Sequence, residues 1–313
     1  MSRYISQKTV ATVPILLFVS VCVFLMVHLI PGDPAAAMLG ENATPEALAM
    51  LRHELGLDLP LHEQYARWVA GVLGGDLGRS IRSGQPVGTA LAAAIGPTVQ
   101  LTALALLAAV ALGVPAGIVA AIRPGSVADV LLALAALIGV SMPTFWSGLL
   151  LIYLFSLGLG WLPPSGYVSP VQSPLDSLRF MILPMLTLGS TVAAVVMRQT
   201  RASMLEVLGN DYIRTAHSKG LRERVVVTRH ALRNALIPVI TIVGLTGGLL
   251  LGGAVVTETI FAIPGMGRLI VTAIFERDFP TVQGGVLVIA VLVVFMNLLV
   301  DVLYAAVDPR VRY

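Results

Sequence analysis

Six apolar stretches, each long enough to cross a lipid bilayer, leave this chain few alternatives. A hydrocarbon core about 30 Å thick takes roughly 20 helical residues to cross. Residues 9–30, 98–122, 127–157, 180–199, 236–256 and 282–307 meet that requirement. The fold class that follows is all-α: a polytopic transmembrane helical bundle of six spans. With 57% hydrophobic and 12% charged residues, the chain lies outside the balance of a soluble domain. The third stretch is long enough to tilt or to project beyond the bilayer. The first has Arg3 and Lys8 before it and Ala35-Ala36-Ala37 after it, as a cleaved signal would. Its apolar length exceeds the roughly 7–15 residues of a signal core, so it is expected to be a retained anchor.

Charge orients the bundle. If the loops alternate sides, Arg3, Lys8, Arg123, the bases between Arg198 and Arg233, Arg310 and Arg312 share one face, which holds 13 of the 20 Lys and Arg residues. The opposite face takes Asp33, Glu41, Glu46, Glu54, Asp58, Glu63, Asp76, Asp176, Glu258, Glu276 and Asp278. By the positive-inside rule both termini are expected in the cytoplasm. The bases are not clustered as a nucleic-acid footprint requires. The single cysteine, Cys22, excludes intrachain disulfides and reads as a small packing residue.

The chain is expected to be one domain over 1–313, with a helical insertion at 31–96 on the outer side and a cytoplasmic loop at 205–235. In the insertion, Thr44-Pro45 forms a helix start followed by Leu48, Leu51 and Leu55 at helical spacing. Pro60 starts a second helix with Leu61, Tyr65, Trp68 and Val72 on one side. Such helices could seal the outer mouth, receive a partner, or simply cap the bundle. A further outer segment, 257–283, mixes Phe261, Ile263, Met266, Ile270 and Phe275 with a Pro264-Gly265 turn and is expected to lie in the membrane interface. Glu258, just beyond the fifth span, is expected to meet the outer water.

The cytoplasmic loop has the pattern of two short helices meeting near Gly220. Leu205, Leu208, Tyr212 and Ala216 fall on one helical face before the glycine, and Leu221, Val225, Thr228 and Leu232 follow after it. Gly220 can take the left-handed conformation that ends a helix at no steric cost.

The run Thr215-Ala216-His217-Ser218-Lys219-Gly220, followed by His230-Ala231-Leu232-Arg233-Asn234-Ala235-Leu236-Ile237-Pro238, resembles the EAA coupling loop of binding-protein-dependent ABC importer permeases. Thr215 stands where the motif's name puts glutamate, so no carboxylate role is inferred there. The resemblance covers essentially the whole chain. Ile30-Pro31-Gly32-Asp33-Pro34, Gly75-Asp76-Leu77-Gly78-Arg79-Ser80, Asp211-Tyr212-Ile213-Arg214-Thr215-Ala216, Ile263-Pro264-Gly265-Met266-Gly267-Arg268 and Asp308-Pro309-Arg310 are similar to the first permease of dipeptide, oligopeptide and nickel importers. The resemblance implies the type I importer permease fold in a bacterial inner membrane. It implies a second, homologous permease subunit, two cytoplasmic ATPase subunits and an extracytoplasmic solute-binding protein as partners. ATP and Mg would then be held by the ATPases, with no cofactor on this chain. Asp211, Tyr212, Thr215, Ala216, His217, Lys219, Gly220, His230 and Asn234 would form the ATPase-coupling surface, where the small Ala216 and Gly220 permit close approach. Dipeptides or oligopeptides are the implied cargo, with nickel or another peptide-sized solute as the alternative.

Residue chemistry points away from catalysis. No G-x-x-x-x-G-K-[ST] occurs around Lys8 or Lys219, the only lysines, so nothing cradles a nucleotide phosphate. His28, His53, His62, His217 and His230 lack metal-ligand spacing, and no nucleophile elbow is present. Asp301, in the sixth span, reads as the partner of a loop arginine near the cytoplasmic interface. An ATPase-independent secondary transporter, the rival reading, would be expected to show inverted repeats or midplane ionisable groups, and no convincing example of either is seen. Gly244, Gly248 and Gly252 form a smooth stripe on the fifth span, either lining the pathway, contacting a second permease, or packing within the chain. Pro143 and Pro184 are expected to kink the third and fourth spans.

Overall fold

The computed structural model describes residues 2–29, 35, 44–54 and 56–307. The motifs at 30–34 and 308–310 and the side chains of Arg3, Lys8 and Asp301 lie outside what is described. The described residues form helices and no strand; an isolated antiparallel bridge joins Arg79 and Pro86. In chain order the helices are α1 (Ser2–Leu29), α2 (Pro45–Glu54), α3 (Leu61–Leu73), α4 (Val87–Ile122), α5 (Val127–Ser141) and α6 (Thr144–Leu151). They continue with α7 (Pro174–Leu208), α8 (Asp211–Ser218), α9 (Glu223–Val225), α10 (Leu232–Gly253), α11 (Val255–Ile260), α12 (Met266–Phe275) and α13 (Phe279–Val307). Two π-helical stretches, Ile152–Gly158 and Val226–Ala231, extend α6 and join α9 to α10.

Among the described residues four helical segments, Val87–Ile122, Pro174–Leu208, Glu223–Gly252 and Phe279–Val300, are long and apolar enough to cross a membrane. A fifth is the expected third span, which is not a straight or tilted rod: Val127–Ser141 and Thr144–Gly158 meet at 109°. Proline explains where the break falls. Pro143 cannot continue the hydrogen-bond ladder of α5, and its φ of −59° and ψ of 135° turn the chain before α6 starts. Pro184, by contrast, sits inside the unbroken α7. The first expected span lies in α1, whose described apolar part, Ala11–Met26, is shorter than a full crossing. Cys22 on α1 is exposed and does not pack inside the chain.

The centre of the molecule is the contact of α4 with α7, and glycine makes it close. A Cβ on Gly113 would lie 2.6 Å from the Ala193 carbonyl oxygen, one on Gly117 2.5 Å from Thr200 Cβ, and one on Gly189 2.7 Å from the Ala105 carbonyl oxygen. Small residues let two helix backbones approach to van der Waals contact, the main source of helix association in lipid. Residue numbers rise together along this seam, so α4 and α7 are parallel. Parallel neighbours oblige the chain to recross between Ile122 and Pro174. The bent pair α5–α6 is therefore a crossing and not a loop that dips and returns. Along α10 and α13 the numbers run oppositely: Gly244 meets Val300, and Gly248 meets Asn297 and Val293. These helices are antiparallel.

At the end of the bundle away from α8, buried acids tie the loops down. Asp278 accepts hydrogen bonds from the Ser80 hydroxyl (2.5 Å), the Ile81 amide (3.0 Å) and the Thr281 hydroxyl (2.7 Å). The expected outer insertion is thus stitched to the start of α13. Its second helix, α3, leans on α1: the Tyr65 and Ser20 hydroxyls are 2.8 Å apart, and Tyr65 and Trp68 surround Phe24.

Two expectations about this end are corrected. Glu258 does not meet water but is fully buried. Its Oε1 accepts from the Thr98 hydroxyl (2.6 Å) and its Oε2 from the Arg268 amide (3.0 Å), while Thr98 Oγ1 accepts from the Met266 amide (2.8 Å). The carboxylate thus caps the N-terminus of α12, where helix N–H groups lack internal partners. Gly265 and Gly267 leave the room it occupies. Phe261, Ile263 and Met266 are fully buried too, so only the far end of 257–283, at Ile274 and Phe275, presents an apolar surface.

Candidate functional site

The loop 205–235 builds a small platform. Helix α7 ends at Leu208, Gly209 and Asn210 turn the chain, and α8 starts at Asp211. Leu205 and Leu208 therefore belong to a different helix from Tyr212 and Ala216, and the single face expected of these four divides at Gly209. In α8, Ile213 and Ala216 are three apart and both buried, packed with Met204 of α7, Ala121 of α4, and Val226, Val227, Ala231 and Ala235. Ala216 is small for that contact: it lets α8 approach its own subunit. The rest of α8, including Asp211, Tyr212, Thr215 and His217, is exposed, as are Lys219 and Gly220.

Gly220 stops the helix with φ +75°, its amide donating to the His217 carbonyl at 2.9 Å. Nothing lies within 4 Å of where a Cβ would stand. Backbone conformation, and not crowding, is what asks for glycine here. Asn234 Nδ2 donates to the Tyr212 hydroxyl at 2.9 Å, fixing α8 against the start of α10. The Thr215 hydroxyl donates to its own helix at the Asp211 carbonyl (3.0 Å). His230 is half-buried in the π-helical stretch. That stretch also explains why the face expected after Gly220 is not the buried one. A π-helical bond spans five residues, so the 3.6-residue period fails there. Val226, Val227 and Ala231 turn inward while Leu221, Val225 and Thr228 face out.

The platform's exposed side is basic. Arg214, His217, Lys219, Arg222, Arg224, Arg229 and Arg233 outnumber Glu206, Asp211 and Glu223, and Arg214 approaches Asp211 at 3.6 Å with both side chains in the open. Two apolar edges, Leu221 and Val225, lie between these charges. Such a surface suits a protein partner that offers acidic and apolar groups together.

A pair not singled out in the sequence stands beside the platform. Arg201 of α7 grips Asp129 of α5 with two parallel bonds, Nε to Oδ1 at 2.7 Å and Nη2 to Oδ2 at 2.8 Å. Asp129 also accepts from the Gly125 amide (2.9 Å), and its own amide donates to the Ser126 hydroxyl (3.2 Å). Ser126-x-x-Asp129 opening an apolar run is a helix-start signature and could have flagged the acid. Its arginine, some seventy positions on, has no local signal.

The glycine stripe of α10 divides. Gly244 lies against Val300 and Gly248 against Asn297, both in α13, whereas Gly252 faces open space. A shallow apolar cavity of about 520 Å³, widely open to the outside, lies in the α5–α6 elbow, lined by Ile138, Ser141, Met142, Pro143, Phe145 and Trp146. Among the described residues no three metal-ligating side chains come together.

Residues 113–313 match the family described as "Binding-protein-dependent transport system inner membrane component", and residues 1–100 match its N-terminal companion, "Binding-prot-dependent transport system membrane comp, N-term". The dipeptide transport system permease protein DppB of Alkalihalophilus pseudofirmus is 42% identical over 100% of both chains. The glutathione transport system permease protein GsiC of Salmonella paratyphi A is 45% identical, again over 100% of both. Among solved structures, a chain of the inward-facing MetNI methionine ABC transporter superposes with a TM-score of 0.56 at 20% identity, covering 70% of this chain and 96% of that one. The fold is that of a type I importer permease, and the chain belongs to the inner-membrane component family of binding-protein-dependent ABC transport systems.

Proposed function

We propose that this chain forms half of the translocation pathway of a peptide importer and converts ATPase movement into helix movement through α8. The observation that carries the coupling role is the platform itself. Two buried residues, Ile213 and Ala216, anchor α8 to the bundle, while Asp211, Tyr212, Thr215, His217, Lys219 and the left-handed Gly220 stay open to a partner. Full-length relatives named for dipeptide and glutathione transport support short peptides as cargo. In this reading a second permease completes the pathway, and the pair binds two cytoplasmic ATPases from below, one of them on this platform. An extracytoplasmic binding protein delivers the solute, and both termini are cytoplasmic, a reading that the basic α8 end supports through the positive-inside rule. The chain performs no catalysis; ATP and Mg stay on the ATPases.

The test replaces Gly220 in two ways and follows co-purification of the ATPases. Asn tolerates the left-handed region and adds little bulk, so Gly220→Asn is expected to keep its ATPases. Gly220→Trp is expected to lose both association and uptake; unchanged association would overturn the docking role. Cargo is tested by purifying the assembled complex, identifying its chains, and determining which ligand its binding protein retains. A non-peptide ligand would overturn the peptide assignment and leave the docking role standing.

A further inference from the structure

Helix α5 buries only Asp129 and Ala136. Val130, Leu131, Leu134, Leu137 and Ile138 are all at least half exposed. It is held to α7 along one narrow seam. Ala136 packs with Ala194 and Met197, the Thr191 hydroxyl donates to the Gly139 carbonyl at 3.3 Å, and Arg201 grips Asp129 at the end nearest the platform. Of these contacts the last is the strong one. Two charge-assisted bonds in a fork fix direction as well as distance, and Asp129 is 6% exposed. Arg201 lies one helical turn before Met204, which is itself fully buried in the cluster that seats α8. At its other end α5 breaks at Pro143 into α6, which is seated elsewhere: Gly148 packs on Thr187 and Phe261. The elbow cavity lies at that break.

We infer that the Asp129–Arg201 pair is the latch that hands movement of the α8 platform to α5. The arm then pivots at Met142–Pro143 and reshapes the elbow cavity, while α6 stays with α7 and α11. Both residues are positioning residues: they act through α5 and touch neither nucleotide nor cargo. The inference rests on the reading of α8 as the ATPase docking surface.

The test uses the whole complex in proteoliposomes and measures three quantities: ATPase retention, ATP hydrolysis, and solute taken up per ATP hydrolysed. The ratio is the readout that a merely structural role would not move. Asp129→Asn keeps the side chain's size and its bond from Gly125 but removes the ionic fork. Hydrolysis is expected to persist while uptake per ATP falls about tenfold, within the usual range of coupling between sites. Arg201→Lys keeps the charge but not the fork, so it is expected to assemble normally with a smaller fall. An unchanged ratio in Asp129→Asn overturns the latch. Should that variant fail to assemble, an unchanged ratio in Arg201→Lys overturns it instead. Failure of the docking reading is seen separately: it fails if Gly220→Trp keeps its ATPases.

Discussion

Removing the Glu258 side chain should unseat α12 at a cost large enough to read directly. In Glu258→Ala the Arg268 amide loses its acceptor, which costs about 1–3 kcal/mol for a buried donor, and the charge-assisted bond from Thr98 contributes a further 1.5–3 kcal/mol or so. The void, roughly 50 Å³ at about 24 cal/mol per Å³, adds about 1 kcal/mol. The total is about 3.5–7 kcal/mol. At roughly 2 °C per kcal/mol, the melting temperature should fall by about 7–14 °C. Glu258→Gln makes a sharper comparison. Its amide oxygen can still accept from the Arg268 amide, while its NH₂ donates to Thr98. The Thr98 hydroxyl then donates to the Ala94 carbonyl, already 3.3 Å away, and keeps accepting from Met266. Every group stays partnered, so only the charge-assisted part is lost, about 1–2 kcal/mol or roughly 2–4 °C. Thermal challenge of the detergent-solubilised protein, followed by size-exclusion elution, ranks the three proteins. A Gln variant as unstable as Ala, or an Ala variant within about 2 °C of wild type, would refute the capping argument.

Gly117→Val would push a Cβ to 2.5 Å from Thr200 Cβ and 2.7 Å from the Met197 carbonyl oxygen. It should destabilise the α4–α7 seam by about 1–3 kcal/mol or more in the same melt. A Cβ at Gly252 meets nothing within 4 Å, so Gly252→Ala should leave the melt of the isolated chain unchanged, and loss of the second permease on co-purification would mark Gly252 as a subunit contact. Asp278→Ala frees Ser80 and Ile81 from α13, and limited trypsin digestion should then cut faster at Arg79 and Arg82; unchanged cleavage would show that other contacts hold this loop.

The spans were legible because lipid imposes a length and a composition that few other environments demand. Pro143 was legible as a kink, but not the 109° that results, since that angle depends on where α5 and α6 find their separate seats on α7 and α11. Glu258 was misread for a related reason. Its partner Thr98 is 160 residues away, and a glutamate next to an apolar run carries no mark that distinguishes a capped, buried acid from a wet one. The residues proposed for the platform came from the motif, while the inward set after Gly220 was not legible, because a π-helical stretch shifts the period on which such readings depend. The stripe on α10 drew attention by its regularity. Gly113 and Gly117, also four apart, lie against backbone carbonyls of α7, whereas Gly244 and Gly248 meet side chains of α13.

That contact determines more than packing. Because Gly113 meets Ala193 and Gly117 meets Thr200, α4 and α7 must run the same way, and the platform must lie at the end of the bundle where α4 finishes and α5 begins. Asp129 and Arg201 are therefore brought beside α8 by topology, while Glu258 and Asp278 are carried to the opposite end. The two ends differ in construction. Asp278 and Glu258 accept hydrogen bonds from Ser80, Ile81 and Thr98, joining segments distant in sequence around buried acids. The α8 end keeps its bases exposed and places one charge pair inside, between α7 and the largely exposed α5. Energy delivered by a partner can do work only where the structure can yield. On the latch reading that place is the Met142–Pro143 elbow, where α5 and α6 meet at 109°, and not the hydrogen-bonded closure opposite.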